Sequence, residues 1–239
     1  MGCTPRQGMD LAPYWSLLFP ETCLGCRELV ARDGDFCPDC ATLLELLPAV
    51  GCRRCSEPGR FPSDTCHRCA VRPPPFSSAF APFVHGGPLA RAIHRFKYED
   101  RPELARPLGA LLAHAAEAFL RSAPDVVIPL PLHRRRFIQR RYDQAGLLAA
   151  ALCRETGKTW LSGLERTRET SRQVGLSEDA RERNVGGAFR ATEQVKGRSV
   201  LLVDDVLTTG ATARAAAAAL LEAGAQDVQV LTLARAWNS

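Results

Sequence analysis

The chain has 239 residues, is 46% hydrophobic and 24% charged, and carries a formal net charge of +5. That is enough apolar material for one core plus a small module, in proportions ordinary for a globular protein. No apolar run reaches the roughly 18 residues a transmembrane helix needs, and residues 1–9 lack the apolar stretch of a secretion signal. Gly2-Cys3 begins like a lipidation site, but Arg6 stands where myristoylation needs Ser or Thr. We therefore expect a cytoplasmic protein without membrane insertion.

Ten cysteines occur. In a cytoplasmic chain they point to metal rather than to disulfides. Eight form C-x-x-C pairs: Cys23/Cys26, Cys37/Cys40, Cys52/Cys55 and Cys66/Cys69. The second four repeat the first four at an offset of 29 residues, so the segment is an internal repeat. Two sulfurs on one knuckle reach a single ion, and two knuckles complete a tetrahedral set of four thiolates for zinc. The natural assignment is one zinc per copy, while spacing alone leaves an interleaved pairing open, and thiolates also suit iron. Such closed sites are structural, and in a segment this short and polar the metals supply folding energy. His67 sits inside a knuckle whose ligand set is already full. Cys3 lies in the terminus, and Cys153 falls in a helical apolar pattern as a core thiol.

Val71-Arg72-Pro73-Pro74-Pro75 reads as a stiff linker. It separates a cysteine module at residues 15–72 from a main domain at 76–239. In the main domain, 77–85 alternates weakly like a strand and 88–97 reads as a short basic helix. Apolar residues at helical spacing (Leu104, Leu108, Leu111, Leu112, Ala115, Phe119) predict a helix over 103–121. Asp125–Pro129 is a buried strand, and a basic loop follows. Residues 142–156 are helical, and 163–190 read as a long polar excursion. Strands at 199–203 and 227–233 flank an alanine-rich helix at 213–221. Strands alternating with helices imply a parallel sheet covered on both faces, an α/β fold.

Two strand ends carry anion chemistry. After the strand at 125–129 come Leu130, Pro131, Leu132 and His133, then Arg134, Arg135, Arg136, Arg140 and Arg141. Arginine binds phosphate through a bidentate fork. The surplus of charge suits a nucleic-acid backbone, with Phe137 and Tyr142 as candidates for base stacking. The second end is Val200–Thr212. Four apolar residues precede Asp204 and Asp205, a short turn at Val206-Leu207 follows, and then Thr208-Thr209-Gly210-Ala211-Thr212 opens the alanine helix. Loop amides, the helix dipole and threonine hydroxyls favour a phosphate there. Paired carboxylates at a strand end suit the vicinal hydroxyls of a ribose, and open α/β sheets bind ligands at this edge.

Val200–Thr212 resembles the phosphoribosyl-pyrophosphate (PRPP) motif of type I phosphoribosyltransferases at every position. The resemblance implies that fold. It also implies that Val206 to Thr212 hold PRPP, that Asp204 and Asp205 bind the ribose hydroxyls shared with Mg²⁺, and that Leu130 to His133 form the pyrophosphate loop.

A wider set of residues is similar to the ComF competence family. These are Ile93-His94-Arg95-Phe96-Lys97-Tyr98, Arg166-Thr167-Arg168-Glu169-Thr170 with Gln173, and Arg181 with Asn184-Val185 and Ala188-Phe189, together with the cysteine-rich double zinc ribbon. The family usually shows Arg-Gly-aromatic-Asn-Gln where this chain has Arg140-Arg141-Tyr142-Asp143-Gln144, so Gly becomes Arg141 and Asn becomes Asp143. Asp143 still suits a helix N-cap. The resemblance implies natural competence, DNA uptake and single-stranded DNA beside a helicase-like or other DNA-processing partner. It implies two structural Zn²⁺ and Mg²⁺ with PRPP or a ribose 5-phosphate. Under the enzymatic reading Arg168 and Arg181 stabilise transition-state charge. Under the alternative, a PRPP sensor or a nucleic-acid-binding factor with a vestigial site, Arg134–Arg141, Arg91, Arg95 and Lys97 form the nucleic-acid surface. With no glutamine amidotransferase half, glutamine-dependent amination is not expected.

Overall fold

The computed structural model describes residues 22–31, 36–168 and 187–237. Its centre is a six-stranded parallel sheet. The strands are β1 (Ser78–Phe80), β2 (Phe83–Val84), β3 (Val126–Pro129), β4 (Thr159–Trp160), β7 (Ser199–Leu207) and β8 (Asp227–Arg235). They run in the order β1-β8-β7-β3-β4, with β2 pairing β8 beyond β1. β3 and β7 are apolar without alternation, as strands buried on both faces must be, and Val127, Ile128 and Val200–Val203 are all buried.

Helices α3 (Gly87–Tyr98), α4 (Ala105–Ala115) and α7 (Gln144–Thr156) cover one face of the sheet. Helix α8 (Ala211–Glu222) covers the other. α4 and α7 cross closely because position 109 is glycine: a Cβ there would lie 2.4 Å from the Ala151 Cβ. From β3 the chain passes through α7 to β4 on one side. β7 lies on the other side of β3 and leads through α8 to β8. The gap beyond the carboxyl ends of β3 and β7 is thus the topological switch point, where doubly wound sheets take ligands.

The cysteine module contributes two single-turn helices, α1 (Pro38–Thr42) and α2 (His67–Val71). Its knuckles are closed by antiparallel bridges, Thr22↔Leu29 and Gly51↔Pro58. The segment between the two copies docks on the main domain, with Leu47 N donating to Pro82 O at 2.8 Å and Val84 N to Glu45 O at 2.9 Å. Among the described residues no helix is long and apolar enough to cross a membrane.

Five elements differ from the sequence reading. β7 runs through both aspartates to Leu207, so Val206-Leu207 is strand and not turn; its ladder with β8 continues to Leu207↔Arg235. The 77–85 segment is two short strands, β1 and β2. The 103–121 helix is broken at Ala116 into α4 and α5 (Glu117–Leu120), after a 3-10 turn at Pro102–Leu104. The basic loop folds into a helix, α6 (Arg134–Arg140), ended by Arg141 in the left-handed region at φ 65°. The described ends of the 163–190 excursion pair as an antiparallel ribbon, β5 (Leu164–Arg166) with β6 (Phe189–Ala191).

Candidate functional site

The site begins where β3 and β7 end side by side, held by the Leu130 amide donating to Val203 O at 2.8 Å. From β7, Asp204 and Asp205 follow the buried run. The Asp204 carboxylate folds back to accept from its neighbour's amide at 2.8 Å. Asp205 is buried, and its Oδ1 lies 2.7 Å from Lys97 Nζ on α3. Burial works against the Lys97 charge, but Asp205 outweighs it and the lysine pKa rises. Burial, and then the charge of Asp205, push the Asp204 carboxyl up to about 8.

Three further groups face this pair. Asp143 stands at the N-cap of α7, within electrostatic range of Asp204 and Asp205, and burial raises its pKa. Its Oδ1 is buried without a hydrogen-bond partner. Arg166 on β5 has its pKa lowered to about 10 by burial and by Arg136, while Asp204 favours its charge. His85, at the end of β2, is lowered by burial and then by Lys97. Sequence reading found the aspartate pair but not this surround. The signal for Lys97 lay in the Phe-Lys-Tyr helix end, where it was grouped with the nucleic-acid surface. The structure places its ammonium in the site.

Thr208, Thr209 and Gly210 then turn the chain into α8. Gly210 is left-handed at φ 79° and offers no capping side chain. Thr209 Oγ1 accepts from the Ala211 amide at 3.4 Å. Thr208 is exposed, Thr212 half-buried and Ala211 buried. The arrangement directs helix-start amides and hydroxyls to one edge, as anion sites do.

Leu130, Pro131, Leu132 and His133 run from β3 into α6, where the His133 imidazole Nδ1 accepts from the Arg135 amide at 3.3 Å. Arg134 and Arg135 are exposed on α6, while Arg136 is half-buried near Arg166. Arg140 donates to Tyr98 Oη at 3.3 Å and stacks over that ring at 4.9 Å. Arg141 pairs with Asp100 at 2.9 Å. Phe137 and Ile138 are exposed beside them, whereas Tyr142 is turned inward, donating to Phe96 O and accepting from the Arg101 amide. Tyr142 is therefore no stacking platform, whereas Phe137, within α6, and Tyr98 are both exposed beside the arginines. Arg168 is exposed beyond β5, and Arg181 lies outside the described residues.

The cysteines form two separate sets, Cys23/Cys26/Cys37/Cys40 and Cys52/Cys55/Cys66/Cys69, with all four sulfurs of each within 4.8 Å of one another. The sequential assignment holds and the interleaved one does not. Cys26 and Cys37 sulfurs lie 3.6 Å apart, and Cys55 and Cys66 sulfurs 3.7 Å apart. Tetrahedral zinc with sulfurs at about 2.3 Å demands edges of about 3.8 Å, so the donor set fits. Burial would raise the Cys23 thiol, but amide N–H groups, among them those of Gly25 and Cys37, bring it down to about 6. Burial and the neighbouring thiols push Cys40 up to about 12. A complete thiolate set therefore calls for a cation.

The sequence matches the family model of the phosphoribosyl transferase domain over residues 145–237 and that of the double zinc ribbon domain over 14–71. It is 35% identical over 225 residues to the DNA utilization protein YhgH of Salmonella typhimurium, covering 92% of this chain and 99% of the relative. It is 31% identical to Competence protein F of Haemophilus influenzae, covering 91% and 98%. It is 26% identical to Competence protein ComFC of Bacillus subtilis, covering 87% of each. With two four-cysteine sets on an N-terminal module, the motif at a parallel-sheet switch point and these whole-length matches, the chain belongs to the ComF family of competence proteins.

Proposed function

We propose that the β3/β7 edge binds Mg²⁺-PRPP and that the protein acts in competence and DNA utilization, handling single-stranded DNA. The observation that carries this reading is the run Val200–Thr212, which delivers two carboxylates and a threonine–glycine loop to the start of one helix. Thr208 to Thr212 take the 5′-phosphate, Asp204 and Asp205 the ribose hydroxyls, and Leu130 to His133 the pyrophosphate. Three carboxyl groups crowd this edge, and burial with Asp205 holds Asp204 up to about 8; a bound divalent cation would favour its ionised form. Bound Mg²⁺ would screen the pyrophosphate as it leaves. Lys97 keeps Asp205 oriented, and Arg166, with Arg168 and Arg181, supplies positive charge as pyrophosphate departs. The β5–β6 ribbon, which brings Arg166 within electrostatic range of Asp204, limits the access of water.

The test is pyrophosphate release from PRPP with nucleobases, amines and single-stranded DNA as acceptors, run beside a thermal-shift titration with Mg²⁺-PRPP. Release with one acceptor class makes the protein a transferase. A thermal shift without release makes it a PRPP-responsive factor. The absence of both effects removes the reading. The exposed arginines of α6 beside Phe137, Ile138 and Tyr98 favour a second role on the same chain, a single-stranded DNA surface adjoining a helicase-like or DNA-processing partner.

A further inference from the structure

Helix α3 stands between the first cysteine set and the acidic pair. Residues two apart on a helix point about 200° away from each other, and α3 uses that geometry with cations. On one side Arg95, 3% exposed, donates through Nη1 to Cys23 O at 3.3 Å and Leu24 O at 3.0 Å. One turn earlier, Arg91 donates from Nε to Gly25 O at 3.0 Å, with Nη2 at 3.9 Å from Cys40 Sγ. On the other side Lys97 meets Asp205.

The docking is tight. A Cβ on Gly25 would lie 2.7 Å from Pro88 Cβ at the start of α3 and 2.9 Å from Cys40 Sγ. At the far end Arg27 pairs with Glu99. A buried guanidinium is costly unless it faces carbonyls or negative charge. Four thiolates around a divalent ion carry a net negative charge, so the loaded knuckle supplies that environment. Without it the buried Arg95 loses its reason to hold α3 where Lys97 reaches Asp205, and the exposed Arg91 loses its thiolate neighbour.

We propose that Arg95 and Lys97 are positioning residues that link the first cysteine set to the acidic pair, so that metal loading of that set fixes the ribose-binding carboxylates. The consequence for PRPP affinity rests on the sugar-phosphate reading above, whereas the link itself does not. The second set has its own contact, Arg235 Nη1 donating to Cys55 O at 2.7 Å, and does not touch α3 through it.

The chain has three lysines, Lys97, Lys158 and Lys196, which makes a labelling test clean. Full-length zinc-loaded protein is reductively methylated, and the rate at each lysine is read by mass spectrometry, with exposed Lys196 as the reference. In the wild type Lys97 reacts about tenfold or more slower than Lys196, because a buried, paired ammonium holds little neutral amine. In Arg95→Met with zinc content still two per chain, and in Cys26→Ser, which removes a ligand of the first zinc, Lys97 approaches the Lys196 rate. Arg95→Lys, which keeps one cation and reaches fewer carbonyls, falls between and serves if Arg95→Met does not fold. Mg²⁺-PRPP binding weakens about tenfold or more in both Arg95→Met and Lys97→Met. The double variant is no weaker than Lys97→Met alone, the non-additivity of residues acting in series.

Unchanged Lys97 labelling in folded Arg95→Met or Arg95→Lys, or fully additive losses, overturns the proposal. Wild type that binds no Mg²⁺-PRPP removes the sugar-phosphate reading, and the labelling comparison then decides the link by itself.

Discussion

Lys97 Nζ lies 2.7 Å from Asp205 Oδ1, joining the end of α3 to the end of the motif strand through a mostly buried ion pair. Removing one partner of such a pair leaves an uncompensated charge and costs about 3 kcal/mol, whereas removing both is close to neutral. Lys97→Met therefore lowers the denaturant midpoint sharply, and Lys97→Met/Asp205→Asn recovers most of it. Urea unfolding of the wild type and the two variants checks this, and equal losses in the single and double variants contradict it.

Asp204 gives the fold a pH dependence. Its carboxyl is held up to about 8 by burial and Asp205, against 3.8 ordinarily. Between those values the folded chain holds a proton that the unfolded chain has lost, so stability is fully present below about pH 4 and declines as pH rises toward 8. Asp204→Asn removes the decline. The variant gains on wild type at about pH 9 and little at about pH 5, and each 1 kcal/mol appears as roughly 2–4 °C in Tm. An advantage equal at both ends of the range contradicts the assignment.

The two cysteine sets are spatially separate and each is complete. Cys66→Ser lowers bound zinc from about two to about one per chain, and the first set keeps its metal. Elemental analysis after gel filtration reads the ratio. Loss of both metals from one substitution contradicts independent sites.

On α6, Arg134 and Arg135 are exposed; Arg140, at its end, meets Tyr98, and Arg141, just beyond, pairs with Asp100. For single strands each phosphate contact contributes about −0.7 to the slope of log K against log salt. Arg134→Glu/Arg135→Glu makes that slope shallower by about 1.4. Tyr98→Ala weakens binding by the roughly 1–3 kcal/mol of one stacked base. Tyr142→Phe, whose hydroxyl is bonded inside the fold, lowers stability and leaves the DNA isotherm unchanged. A Tyr142→Phe protein that folds normally but loses DNA binding reverses the assignment of the two tyrosines.

The aspartate pair, the threonine–glycine loop and the two thiolate sets were legible because each is local: the chemistry sits within a few residues, and the 29-residue offset declares the repeat. The strands at Val126–Pro129 and Ser199–Leu207 were legible as apolar runs, but the end of β7 was not. Adjacent carboxylates look like a loop until a neighbouring strand pairs beyond them, as Leu207↔Arg235 does. The helix of Arg134–Arg140 was hidden because five arginines within eight positions carry no apolar face at helical spacing and read as a basic loop. Which way Lys97 and Tyr142 point is set by tertiary contacts, Asp205 for one and Phe96 O for the other, and no local pattern carries that information.

The most direct measurement is calorimetric titration of zinc-loaded protein with Mg²⁺-PRPP, beside Asp204→Ala/Asp205→Ala. A sugar-phosphate site at the end of β7 gives saturable binding by the wild type, with about one PRPP per chain, and none by the double variant, with both proteins folded and carrying equal zinc. Equal binding by both, or none by folded wild type, contradicts a sugar-phosphate site at the end of β7.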